Sequence, residues 1–275
     1  MKHRFWPWAV MLGLPLWGAD APVPGRDPQK LQVLILTGYN MHDWRTITTA
    51  LREMLERTGR FEVRVSEEPA GSDDVTFRGY DVLVLNYTNY KGIFGPTWPT
   101  ETRQAFLRFL RSGKGVVAYH PACGAFEEWP EYDKVLGGTW RENGAHAPYH
   151  TFQVEFKDRE HPVTEGLPKS FPQTDELYHG LTMQPGIHVL ASAFDDPNNC
   201  TDKEPPTCGS GKMEPVIWTN RYGNGRVFHT ILGHDMTSIS SPGFISTFQR
   251  GAEWAASGKV TIAASPEFTR SEKSP

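Results

Sequence analysis

A three-layer α/β fold, doubly wound on a mostly parallel sheet, is the architecture predicted for this chain, and three observations predict it. Short apolar runs alternate with amphipathic helical stretches from Leu31 onward, glycine stands where those stretches should stop, and no repeat, charge run or long linker interrupts the alternation. Residues 31–36 read as a buried strand. Asp43 is placed to cap a helix over 44–58, where Ile47, Leu51, Met54 and Leu55 form one apolar stripe and Gly59 supplies the stop. Strands follow at 61–65 and 81–86, then a helix at 100–112 with Phe106, Phe109 and Leu110 facing inward, then a strand at 115–119. The second half is richer in strands, at 150–156, 188–194, 214–219 and 226–232, and these are the added antiparallel part of the sheet. The last two flank Tyr222-Gly223-Asn224-Gly225, a turn whose glycines permit positive φ, so they are predicted to form a hairpin. A closing helix carries Phe244, Phe248, Ala252 and Ala255 on one face and ends at Gly258. One domain over 31–262 and a polar tail over 263–275 follow from this pattern.

The chain has 275 residues, 38% of them apolar, which is enough to bury a large core and excludes disorder as its main state. Lys plus Arg number 28 against 32 Asp plus Glu, a formal charge of −4 that offers no broad positive field for a phosphate backbone. Nucleic acid is therefore not an expected partner. Nine Trp residues suit a protein that stacks flat apolar faces such as sugar rings, although core packing absorbs most aromatics in any protein.

Lys2, His3 and Arg4 precede an apolar run from Phe5 to Gly18 that is too short to span a bilayer. With small residues at Gly18, Ala19 and Ala21, residues 1–21 read as a signal peptide cut between Gly18 and Ala21, the alternative being an uncleaved anchor. Removing Lys2 and Arg4 takes the charge to about −6. The expected location is periplasmic or extracellular, with no stable membrane span after processing. An oxidising compartment makes the cysteines informative. Cys200 and Cys208 bracket a polar, proline-bearing stretch and are the natural disulfide pair, leaving Cys123 over.

Ligands of open α/β sheets bind at the carboxyl ends of the strands. Here the strand exits are polar: Asn40, His42, Asp43 and Trp44 after the first, His120 and Cys123 after the fourth, His234 and Asp235 after the last. Three histidines, His42, His120 and His234, thus converge on one edge from distant parts of the chain. The competing reading of each alone is a core histidine bonded to backbone. No G-x-G-x-x-G or G-x-x-x-x-G-K-[ST] is present, so no nucleotide cofactor is expected, and no G-x-S-x-G supports a serine hydrolase. Cys123 lies three residues beyond the strand exit, too deep for a nucleophile elbow, and is read as structural. A second group of polar residues spans His146, His150, His161, Asp175, Glu176, Tyr178 and His179. Imidazole and carboxylate at this density suit acid–base work or a metal. Pro148 between His146 and His150 argues for a loop there.

Taken together, Gly38 with His42-Asp43-Trp44, the stretch GKGVVAYHPACGA, Trp129-Pro130-Glu131-Tyr132 with Leu136-Gly137-Gly138, HPVTEGL from His161, Asp175-Glu176-Leu177-Tyr178, and PVIWTNRYGNGRVFHTILGH resemble the ThuA-like (trehalose utilisation) family. The resemblance implies a class I glutamine amidotransferase-like, flavodoxin-like fold without the cysteine triad, and a role in catabolism of trehalose or oxidised keto-sugars. Cys123 departs from the small residue usual there. The resulting expectation is an exported enzyme acting on a keto-disaccharide or glycoside by histidine and glutamate chemistry, as a lyase, isomerase or hydrolase. Its catalytic residues would be His120, His234 and Glu176. Asn40, His42, Asp43, Trp44, Tyr178 and His150 would bind substrate, and a divalent metal on His42, His120 and His234 is the candidate cofactor. The alternative is a non-catalytic carbohydrate-binding module on the same scaffold.

Overall fold

The computed structural model describes residues 27–270; the expected signal peptide at 1–21 lies outside the described residues. In the first half, β1 (Leu31–Leu36), α1 (Trp44–Glu56), β2 (Phe61–Ser66), α2 (Asp74–Phe77), β3 (Val82–Leu85), α3 (Thr100–Arg111), β4 (Gly115–Tyr119), α4 (Pro130–Leu136) and the two-residue strands β5 (Gly138–Thr139) and β6 (Ala145–His146) follow in order. The second half comprises β7 (His150–Phe156), β8 (Ser170–Asp175), β9 (Tyr178–His179), β10 (Thr182–Met183), β11 (His188–Phe194), β12 (Met213–Tyr222) and β13 (Gly225–Thr230). The helices α5 (Met236–Ile239), α6 (Pro242–Ser257) and α7 (Pro266–Arg270) complete it.

Nine strands form one sheet in the order β2-β1-β3-β4-β13-β12-β11-β7-β8. The first five run parallel and the rest join antiparallel, β12 and β13 as the predicted hairpin. The central strands are continuously apolar because both faces are covered. Val33 and Ile35 of β1, with Val117 and Tyr119 of β4, pack beside Ile47 and Leu51 of α1 and Phe244 and Phe248 of α6. Leu34, Leu36, Val116 and Ala118 alternate to the other face, under Phe106 and Leu110 of α3 and Tyr132 of α4. A period of two in the strands thus separates two cores.

Most predicted elements form within a residue or three of their expected ends. Four helices (α2, α4, α5 and α7) and five strands (β5, β6, β8, β9 and β10) were not anticipated. The helix α4 begins with Pro130 at its first turn and stops at Gly137, whose φ of +78° is left-handed, a start and stop that the short run between them hid. Strand β8 carries Pro172, which a sheet tolerates at its edge, and β8 is the edge strand. In the expected tail, α7 forms instead and buries Phe268 against Phe171, ring centroids 5.5 Å apart. Cys200 and Cys208 are disulfide-bonded, and Cys123 is free and buried.

Two glycines carry the chain out of the sheet toward the polar edge. At Gly38, φ is +113° and a Cβ would stand 1.8 Å from the Glu67 carbonyl oxygen; at Gly233, φ is +117° and a Cβ would meet the Tyr119 ring at 2.4 Å. No other residue type fits either exit without moving backbone or a buried ring.

Away from that edge, His161 is held neutral. Its Nδ1 accepts a hydrogen bond from the Val163 N–H at 3.2 Å, and its ring packs on Trp254 at 5.1 Å. Burial, then the neighbouring His188, lowers its pKa to about 4, against the opposing pull of Asp158. A histidine that titrates near 6.5 unfolded and near 4 folded contributes stability above the unfolded value that is lost as pH falls through the folded one. Denaturant midpoints should therefore fall from about pH 7 to about pH 4.5, and His161→Gln should flatten that slope; an unchanged slope in the variant would remove His161 as its cause.

Candidate functional site

The loop leaving β1 is pinned by buried polar contacts. Asn40 Oδ1 accepts the His42 N–H at 2.7 Å and its Nδ2 donates to Asn86 Oδ1 at 3.0 Å; Asn86 in turn donates to Thr48 of α1 at 3.0 Å. These bonds hold His42 over the end of the sheet. Leaving β4, His120 is wholly buried with a left-handed φ of +22°. Its Nδ1 lies 2.5 Å from the Ile231 carbonyl oxygen and its Nε2 lies 2.8 Å from the Tyr178 hydroxyl. A carbonyl only accepts, so Nδ1 carries the proton and Nε2 the lone pair. His234 follows Gly233 at the exit of β13, where its N–H donates to Asp175 Oδ1 at 3.2 Å. Glu176, next to Asp175, turns back toward the histidines.

The four side chains meet. The His42 ring centroid is 4.8 Å from those of both His120 and His234, and ligating atoms of His42, His120, Glu176 and His234 all lie within 4.8 Å of one another. Glu176 Oε2 is 3.1 Å from His234 Nδ1, and its Oε1 is 3.6 Å from His146 Nε2. His234 Nδ1 is therefore paired with the Glu176 carboxylate, whereas the buried His42 Nδ1 lacks a hydrogen-bond partner.

Burial, and then the charge of His234, lowers the His42 pKa to about 4. Burial and His42 hold His120 well below its ordinary value. Contact with the Glu176 carboxylate raises His234. Burial alone would raise Glu176, but His234, His146 and His42 bring its carboxyl below the usual range. The centre is thus two neutral imidazoles beside one carboxylate–imidazole pair.

His42, Glu176 and His234 of the cluster line a cavity of about 240 Å³, whose walls also include Met41, Tyr90, Cys123, Trp140, His146 and Tyr178. Of the residues singled out from the sequence, His42, Glu176, Tyr178 and His234 line it, while His120 stands behind Tyr178. Asn40 is a brace for His42. Asp43 caps α1 through the Thr46 N–H, and Trp44 lies under the Arg45 guanidinium at 4.1 Å; neither lines the cavity. His150 turns its Nδ1 to the Pro148 carbonyl at 2.8 Å and stays outside as well.

Sequence reasoning grouped His146 with residues suited to acid–base work without giving it a place in the site, and it passed over Trp140. The pairing of β6 with β9 sets His146 directly across from Tyr178, and neither strand is long enough to show an alternating pattern. Cys123 also lines the cavity, but burial pushes its thiol up to about 12, so it stays protonated and is a poor nucleophile. Cys123→Ala should preserve ligand binding and turnover, and alkylation of the native protein by iodoacetamide should leave Cys123 unmodified. Rapid labelling with loss of function would make the thiol part of the chemistry.

Comparison with known proteins supports the resemblance drawn from the motifs. The family model described as ThuA, trehalose utilisation, matches residues 32–255. A protein from Parabacteroides merdae described as ThuA-like is 32% identical, with 87% of this chain and 94% of that one covered and a TM-score of 0.75. A ThuA-like protein of Bacteroides uniformis is 21% identical over 92% of this chain and 98% of its own, TM-score 0.64. A cytoplasmic protein of Salmonella typhimurium is 14% identical over 82% and 99%, TM-score 0.55. The latter two likenesses show the fold, which is the expected class I glutamine amidotransferase-like one. No curated protein matches the chain.

Proposed function

The chain belongs to the ThuA (trehalose utilisation) family, and on that premise we propose that it is an enzyme of carbohydrate catabolism acting on keto-disaccharides or keto-glycosides at a His42–His120–Glu176–His234 metal centre. The observation that carries this reading is the convergence of four ligating side chains within 4.8 Å of one another, with the His42 Nδ1 buried and without a hydrogen-bond partner. Buried imidazole nitrogens without a partner are costly unless something binds them. Three nitrogens and one carboxylate oxygen suit zinc or another divalent transition metal rather than calcium or magnesium.

A metal there would polarise a sugar carbonyl and acidify the neighbouring C–H. The proton acceptor we assign is His146, in place of His120 or His234. His146 Nδ1 lies 2.8 Å from the Ala147 carbonyl oxygen, so that nitrogen carries the proton and Nε2 offers a lone pair on the cavity wall. Glu176 Oε1, 3.6 Å away, would stabilise the imidazolium once the proton is taken. On a 3-keto-glycoside, His146 removes the C2 proton, the electron pair forms C1=C2, and the C1–O bond breaks. The departing oxygen then takes the proton back from His146, so the net change is elimination of the aglycone alcohol. Ordinary glycoside hydrolysis fits less well, because it calls for two carboxylates across the scissile bond, and among the described residues Glu176 is the one carboxylate that lines the cavity.

The test is incubation in deuterated water with a 3-keto-disaccharide and with its unoxidised parent, alongside metal analysis of the purified protein. Deuterium beside the carbonyl, or elimination product from the keto form alone, is expected, with both lost after chelation. Turnover of the parent without preference would sink the proposal, and binding without either product would favour a carbohydrate-binding module. Export belongs to the same reading: N-terminal sequencing of the periplasmic or secreted protein should begin between Ala19 and Pro22, and retention of Met1 would refute it.

A further inference from the structure

Tyr178 is buried on the cavity wall, its ring 4.8 Å from that of His120 and 4.7 Å from that of Trp140. Among the described residues its hydroxyl has one hydrogen-bond partner, His120 Nε2 at 2.8 Å. The direction of that bond is set from the backbone. Because the Ile231 carbonyl can only accept from Nδ1, Nε2 is the bare nitrogen, and Tyr178 must donate to it. Yet Nε2 is also the atom with which His120 would hold a metal, since Nδ1 is committed to the carbonyl. One lone pair cannot serve both partners.

We infer that Tyr178 is the hydrogen-bond donor to the substrate's carbonyl oxygen, parked on His120 Nε2 in the metal-free site and released into the cavity when a metal takes that nitrogen. The inference rests on the metal reading given above and extends it to a residue that touches substrate. With Nε2 occupied, the displaced hydroxyl needs an acceptor, and an oxygen-rich ligand in the cavity supplies one. The enolate oxygen formed on C–H removal is a stronger acceptor than the ketone oxygen, so the bond strengthens as charge develops and speeds the chemical step. The Tyr178 proton remains on Tyr178 throughout; no covalent bond to it forms or breaks. His120 is then a positioning residue in one state and a ligand in the other, and the backbone at Ile231 keeps its tautomer the same in both.

The experiment compares full-length wild type and Tyr178→Phe, each stripped with chelator, in titrations with Zn²⁺ against a competing chromophoric chelator, followed by kinetics on the keto-sugar. In the variant Zn²⁺ no longer displaces a hydrogen bond, so its affinity should rise about five-fold. Its kcat on the keto-sugar should fall by about 100-fold or more with KM changed little, the cost of losing one donor to a developing oxyanion. A merely structural Tyr178 would instead lower the Tm of the metal-free and Zn²⁺-loaded variant alike and leave the affinity unchanged or weaker, and that result overturns the inference. An unchanged kcat overturns it too. If wild type takes up no Zn²⁺, the release of Tyr178 is refuted along with the metal centre; deuterium exchange in wild type then reports separately on the keto-sugar reading.

Discussion

Asp175 ends the edge strand β8 with its side chain wholly buried, and its two carboxylate oxygens receive four N–H groups. Gly233 and His234 donate from the exit of β13, Glu176 from the residue that follows, and Gln173 from the same strand, at 2.7 to 3.2 Å. Burial raises the carboxyl to about 6 while those same donors pull it down. An unsatisfied buried donor costs about 1–3 kcal/mol, so these bonds are structural requirements rather than ornaments. Their consequence is positional. Glu176 and His234 are 58 residues apart, on strands separated in the sheet by β12, β11 and β7, and one carboxylate sets the backbone of both.

The cluster therefore sits where two construction schemes meet. Parallel strands β1, β4 and β13 deliver His42, His120 and His234 at their carboxyl ends, as open α/β sheets generally place ligand-binding residues. The antiparallel part returns Glu176, Tyr178 and His146 across that edge, because β8 runs into β9, which pairs with β6. A parallel sheet alone would present histidines to open solvent. The return of the β8–β9 segment gives the site its wall, its carboxylate and its burial, and burial in turn keeps His42 and His120 neutral.

This division explains what was legible in the sequence. The parallel strands are apolar on both faces and their exits are polar, so LQVLIL and GVVAY revealed both the strands and the histidines after them. Glu176 and Tyr178 were reached through the motif Asp175-Glu176-Leu177-Tyr178 rather than through any periodicity. Strand β8, SFPQTD, shows no apolar alternation and contains proline, so nothing local marked Asp175 as the clasp. His146 was visible as a residue but not as a neighbour, since two-residue strands leave no periodic trace. Asn40, Asp43 and Trp44 were close to His42 in sequence, and proximity in sequence misassigned structural work to ligand contact: one braces the loop and another caps a helix. Which nitrogen of His120 holds the proton depends on a carbonyl 111 residues away, and no reading of sequence contains it.

The exit of β4 shows how one strained backbone position bears on the cluster around it. A non-glycine residue in the left-handed region costs about 1–3 kcal/mol in backbone strain and persists only where its surroundings hold it. Here the strained residue after β4 is His120, with φ +22°, and the one thiol of the segment lies three residues deeper with its pKa near 12. The strained residue presents its Nε2 lone pair toward Tyr178. That lone pair receives the Tyr178 hydroxyl, and further donors converge beside it. His42 from the β1 exit, His234 from the β13 exit and Glu176 from the return segment supply them. One strained position and three further donors thus meet at a single point of the sheet edge.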